Sequence, residues 1–198
     1  MMKHRLAAVG LASLAIACGG AKPADPPAAA STPAPATSPV PAKPATARTA
    51  PRTADAVGFE QLVALLPEVD GWTRSTPRGE QVSTGVPMSR ASARYEQAEA
   101  IVDVEVLDSA FHELVLAPIA SYLTAGFSER MTHGYRKSAP VSGQPGFEEW
   151  NSDRRRAQVT VVVSDRFIVS ATGRNVENTD STRAIVQKIP MTGLAGLK

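Results

Sequence analysis

Cysteine is nearly absent. Cys18 stands alone in 198 residues, so no internal disulfide can form, and a folded domain must be held by its hydrophobic core. Histidine is scarce: apart from His4, only His112 and His133 occur. They flank a central apolar segment with no HxxxH or HxH spacing, so they make no convergent zinc set and read as surface or helix-end residues. No GxSxG elbow, P-loop or GxGxxG fingerprint is present, which removes the local signatures of a hydrolase nucleophile or a nucleotide site. A Ser–His–acid triad assembled in space stays open. The sequence assigns no catalytic, cofactor-binding or metal-ligating residue. Long hydrophobic runs are missing too. The longest, Leu6–Ala17, would span roughly 18 Å as a helix, against a ~30 Å hydrocarbon core, too short for a membrane-spanning helix.

Charge of one sign is also lacking. The formal balance of +2 is misleading, because Lys3 and Arg5 belong to the extreme N-terminus. From Val57 onward fifteen Lys or Arg face seventeen Asp or Glu, so the domain is slightly acidic and lacks the basic footprint of a nucleic-acid binder. The one basic cluster is Arg154-Arg155-Arg156. On a strand, neighbouring side chains point to opposite faces, so these three should not form one patch. They read as a solvated edge or turn rather than a phosphate site.

The N-terminus does carry a signal. A positive start (Lys3, His4, Arg5), a short apolar centre and small residues at its end are the marks of a secretory signal peptide. Leu14-Ala15-Ile16-Ala17-Cys18 resembles the lipobox of bacterial lipoproteins, with Ala15 where that family prefers Leu. The resemblance implies cleavage after Ala17 and attachment of a diacylglycerol to Cys18, often with a further acyl chain such as palmitate on the new amine. Two or more acyl chains make a stable membrane anchor, where one binds marginally. Gly19 stands where an aspartate resembles an inner-membrane retention signal in some Gram-negative lipoproteins, which favours the outer membrane.

Residues 18–56 follow the 1–17 signal as a lipidated cysteine and a tether of Ala, Pro, Ser and Thr, without aromatic residues. Such a composition cannot offset its ordering entropy and is expected to stay disordered. Its prolines favour an extended course of ~3.1 Å per residue, a spacer that holds a domain off a surface.

Residues 57–198 are the right length for one domain. Phe59, Leu62, Val63 and Leu66 repeat at helical spacing until Pro67. An extended piece runs from Trp72 to Pro77-Arg78-Gly79. Ala91, Ala93 and Tyr95 alternate with Arg90, Ser92 and Arg94; after Gln97-Ala98-Glu99, Val102, Val104 and Val106 alternate with Asp103 and Glu105. That is a hairpin with one wet face. Asp103 and Glu105 are too few oxygen ligands for Ca²⁺ and read as solvated. A broad helix is expected from Ala117 to Gly126, with Leu116, Ala120, Leu123 and Phe127 as its stripe, Ile119 and Tyr122 widening it, and Pro118 in its first turn. Tyr135–Val141 and Phe147–Trp150 look extended on either side of a Ser142–Gly146 turn. Ala157–Val163 and Arg166–Thr172 form a tight hairpin through Ser164-Asp165. Asn178, Thr179 or Asp180 can cap a last helix carrying Thr182, Ile185, Val186 and Ile189, which Pro190 ends. Glu148 and Glu149 are adjacent, so on a strand they point apart and cannot form a carboxylate pair across a sugar; they read as solvated beside one inward aromatic, Phe147 or Trp150. Trp72 and Trp150 border turns, with partial burial expected for each.

The expected fold class is α+β: a mostly antiparallel curved sheet with about three helices packed on it, in a single domain. Its element order is similar to that of Mog1/PsbP-like modules, which implies an α-β-α sandwich and a non-catalytic binding or assembly role. The functional expectation is an envelope lipoprotein anchored in the membrane through Cys18, with an envelope protein or component as partner and no nucleic acid. A hydrolase with a spatially assembled site and a carrier of a small apolar ligand are the alternatives. Limited proteolysis is expected to cut within residues 21–56 and leave a resistant fragment beginning near 57. Protection of that stretch would show that it folds.

Overall fold

The computed structural model describes residues 54–111 and 113–198. Cys18, the signal segment and nearly all of the tether lie outside the described residues, as does His112. Helix α1 (Phe59–Val63) precedes β1 (Thr73–Arg74), β2 (Arg78–Val82), β3 (Met88–Gln97) and β4 (Ala100–Asp108). A short α2 (Glu113–Leu116) runs into a 3₁₀ segment (Ala117–Leu123). Five strands follow, β5 (Ser128–Met131), β6 (Gly134–Ser138), β7 (Gly146–Asn151), β8 (Arg156–Val163) and β9 (Phe167–Arg174), then α3 (Asp180–Gln187) and α4 (Met191–Ala195). The described strands form one open nine-stranded sheet in the order β1-β3-β4-β9-β8-β7-β6-β5, with β2 also pairing β3. Every pairing in it is antiparallel. The fold is α+β in a loose sense, because the sheet dominates and the helices are short. Among the described residues no helix is long and apolar enough to cross a membrane.

Alternation along the strands decides the two faces of the sheet. Ala91, Ala93 and Tyr95 of β3, Val102, Val104 and Val106 of β4, Val169 and Ala171 of β9, and Val159 and Val161 of β8 share one face in register. All of them are buried. Helices α1, α3 and α4 cover this face with Leu62, Ile185, Val186 and Leu194. The last stripe falls as the periodicity predicts: Thr182, Ile185, Val186 and Ile189 are at most 2% exposed. Gly173 lets α3 lie close, since a Cβ there would come within 2.4 Å of the Thr182 hydroxyl.

The structure corrects three expectations. Over the expected 117–126 helix the chain runs as a 3₁₀ helix that stops at Leu123, preceded by one α-helical turn at Glu113–Leu116. The half-buried residues Leu116, Ile119 and Tyr122 recur every three residues, the period at which a 3₁₀ helix stacks its side chains, whereas Ala120, expected on the stripe, is exposed. Strand β5 and helix α4 are additions that the sequence pattern does not announce. Glu148, expected to be solvated, is 2% exposed.

Asp108 and Arg166 tie the sheet together where β4 meets β9. Arg166 Nε and Nη2 each donate to Asp108 at 2.8 Å, and the two side chains are only 0–5% exposed. The Asp108 oxygens also accept from Val57 N and Ala110 N, each at 2.8 Å. Arg166 Nη2 reaches the Asp55 carbonyl at 2.9 Å, and the Phe111 and Phe167 rings flank its guanidinium. The pair therefore secures the segment that leads into α1. Removing one partner leaves a buried charge unmatched, so Asp108→Ala or Arg166→Ala is expected to cost about 3–5 kcal/mol. Chemical denaturation measures this, and a loss below about 1 kcal/mol would show that the pair does not hold the fold.

Candidate binding face

The face opposite the core is only partly covered. The chain crosses it between β4 and β5, and Tyr122 from the 3₁₀ segment stacks against Phe127 and Phe147 with ring centres 5.3 and 5.2 Å away. That lid lies on β6 and β7. Over β3, β4 and β9 the described chain leaves the sheet open, and a concavity of about 560 Å³ lies there. Ser92 and Arg94 of β3, Asp103 and Glu105 of β4, and Ser170 and Thr172 of β9 form its floor, with Ser75, Thr76 and Arg78 along the rim.

The floor is an ion-pair ladder. Asp103 accepts from Arg94 Nε at 2.8 Å and also from Arg174. Arg90 joins Glu80 at 2.6 Å and Glu105 at 3.6 Å. The hydrogen bond and charge of Asp103 raise the Arg94 pKa above its ordinary value. Asp103 and Glu105 do share a strand face, as the alternation predicts. Guanidinium groups occupy both Asp103 oxygens, which leaves the carboxylate committed to arginine rather than to a cation. A floor of matched charges and hydroxyls suits a polar, hydrogen-bonding surface of a partner.

The other singled-out residues fall elsewhere. Glu148 and Glu149 point to opposite faces, as expected. Glu149 lies on the partly covered face with Arg136, whose Nε donates to it at 2.8 Å. Burial works against the charge of Arg136, but Glu149 outweighs it and the pKa is raised. Glu148 points to the core face, level with Val159 of β8. There it meets the Tyr135 hydroxyl at 3.0 Å, Lys137 Nζ at 3.2 Å and the Arg183 guanidinium from α3. Parity with Val159 is the signal that could have placed it inside. Its partners come from β6 and α3, which no local pattern connects. Tyr95 is likewise buried; burial raises its hydroxyl pKa, and the group donates to the Pro67 carbonyl at 2.8 Å.

His133 is exposed in the β5–β6 turn, with Nδ1 3.1 Å from Asp153. Ser152 Oγ donates to the His133 carbonyl, not to the ring, so these three do not make a nucleophile–base–acid relay. Among the described residues no group of three or more His, Cys, Asp or Glu gathers as a metal site. Trp72 and Trp150 are both half-buried, and Trp72 packs against the edge of the core cluster. Arg155 lies apart from Arg154 and Arg156, as the turn geometry suggests, but those two line one concavity with Arg136. No protein-family model and no curated protein matches the chain.

The two kinds of ion pair should respond differently to mutation. Glu148→Ala strands two cations beside a packed helix and is expected to cost about 2 kcal/mol. Arg90→Gln and Arg94→Gln remove solvated pairs and are expected to leave the unfolding midpoint in place. Parallel urea titrations of the three variants check the contrast. Equal losses would contradict this division of the charges.

Proposed function

We propose that the protein is a cell-envelope lipoprotein. In this reading Cys18, freed by cleavage after Ala17, carries the lipid, and residues 19–56 are the spacer between membrane and domain. The 57–198 domain is a non-catalytic binding or assembly module of the α+β class, its helices packed on a curved sheet as in Mog1/PsbP-like modules. The Leu14–Cys18 motif supports export and anchoring, with the outer membrane as the favoured site. The observation that carries the binding role is the open, charge-paired sheet face over β3, β4 and β9. Its charges are matched laterally and aligned by strand register, so the face is preorganised without a ligand, and a polar envelope partner loses little by docking on it. The carrier alternative needs space between sheet and helices, where Leu62, Ile185, Val186 and Leu194 are fully buried among the sheet valines.

Cys18→Ser is expected to abolish incorporation of a fatty-acid label and leave the chain uncleaved. Labelling that persists would refute the anchor. For the domain, in-cell crosslinking of the tagged full chain should recover an envelope component. Ser92→Trp and Ser170→Trp, which fill the open face, should abolish that recovery while the fold, checked by circular dichroism, stays intact. Recovery unaffected by both substitutions would move the binding site elsewhere.

A further inference from the structure

The open face follows one rule along β3, β4 and β9: a carboxylate answers each guanidinium. Arg90 has Glu80 and Glu105, while Arg94 and Arg174 share Asp103. The rule fails beside the β7–β8 turn. Arg154 and Arg156 have no carboxylate partner among the described residues. The acid next to them in sequence, Asp153, is engaged by His133. Arg156 is placed worse still. Its directly opposite residues are Asn151 on β7 and Arg174 on β9, so no carboxylate faces it across the ladder, and the like charge that does is already bound to Asp103. Arg78, on edge strand β2, also lacks a partner but stands alone.

Arg154 and Arg156 converge with Arg136 on a concavity of about 270 Å³ whose remaining polar lining is Glu149, Asn151 and Gln158. Glu149 matches Arg136 by accepting from both Nε and Nη2, and the Tyr122 ring stacks 4.6 Å from that guanidinium. Arg136 is thus fixed in place. The hollow keeps two uncompensated positive charges together with the Asn151 and Gln158 amides. Asn151 Oδ1 accepts from Arg154 N at 2.9 Å, which holds the turn so that Arg154 stays beside the strand. Arginine forks match tetrahedral oxyanions with paired hydrogen bonds, and two net positive charges suit a phosphate group, whether the singly charged phosphodiester or the more highly charged free ion.

We propose that Arg154 and Arg156, with Arg136 as a rigid wall, form a binding site for a phosphate group. The group is either free inorganic phosphate or the phosphodiester of a lipid headgroup. Arg155 belongs to the opposite side of the same turn: it takes φ of 44° and lines a different hollow with Trp72 and Asn175. It is therefore the internal control, equal in charge and adjacent in sequence but outside the site.

The test is isothermal titration of the full chain in neutral detergent, first with inorganic phosphate and then with dihexanoyl-phosphatidylglycerol. Saturable binding is expected, with the tighter probe naming the source. The R154Q/R156Q double variant should weaken it by at least about tenfold, since both charged hydrogen-bond donors are lost. R155Q should stay within about twofold, the change expected from screened long-range charge alone. All three residues are exposed, so thermal melts should show the variants folded. The proposal is overturned if neither probe binds saturably, if the double variant binds as the parent does, or if R155Q weakens binding as much as the double variant.

Discussion

The buried pair of Asp108 and Arg166 is the constraint on which the rest of the structure depends. It sits where two antiparallel meanders join, one ending in β4 and the other in β9. Both charges are out of water, so each must be met by the other and by further hydrogen bonds, or the site would cost more than it contributes. The backbone supplies those bonds: Val57 N, Ala110 N and the Asp55 carbonyl all terminate on this pair. Ser109 adds two more contacts to the Arg166 carbonyl. Ala110 and Phe111 can therefore adopt φ of 47° and 62°, conformations that L-residues avoid. The sharp exit of the chain toward the far edge of the sheet follows from that local fixation.

From this exit the two faces acquire different characters. The chain leaves β4, crosses the sheet over β6 and β7, and enters β5 at the far edge. That path covers part of one face, with Tyr122 and Phe127 over Phe147 of β7, and leaves the part over β3, β4 and β9 open. Helices α1, α3 and α4 close the other face over a continuous valine-rich core. A polar face with matched charges resists edge-to-edge and face-to-face aggregation while staying available to a polar partner. The unmatched arginines at the β7–β8 turn are the one grouped exception on this face among the described residues, Arg78 standing alone on the rim. Their exposure leaves them free to meet an anion.

Much of the fold was legible because its strands obey simple alternation. Val102, Val104 and Val106 against Asp103 and Glu105 announced one dry and one wet face. The 182/185/186/189 stripe announced α3. The middle segment departs from expectation because Leu116, Ala120, Leu123 and Phe127 fit helical spacing on paper. The α-helix and the 3₁₀ helix differ by only a fraction of a residue per turn, and the half-buried row of Leu116, Ile119 and Tyr122 follows the tighter period. Glu148 was misread for another reason: a carboxylate is solvated by default, and its counter-ions lie 11 residues upstream at Lys137 and 35 downstream at Arg183.

What the sequence determined by itself was local: the Leu14–Cys18 lipobox resemblance, the composition that sets residues 18–56 apart from the domain, the alternating strands, and the tight Ser164-Asp165 reversal. Each rests on neighbours within a few positions, where covalent spacing dictates geometry. Only the tertiary structure decided that Asp108 and Arg166 share a buried site, that Glu148 turns inward, that one sheet face stays open, and that Arg136 joins Arg154 and Arg156 but not Arg155. These depend on strand register and on which element crosses which face. Register is set by the summed burial of the whole core, and no short stretch of sequence contains it.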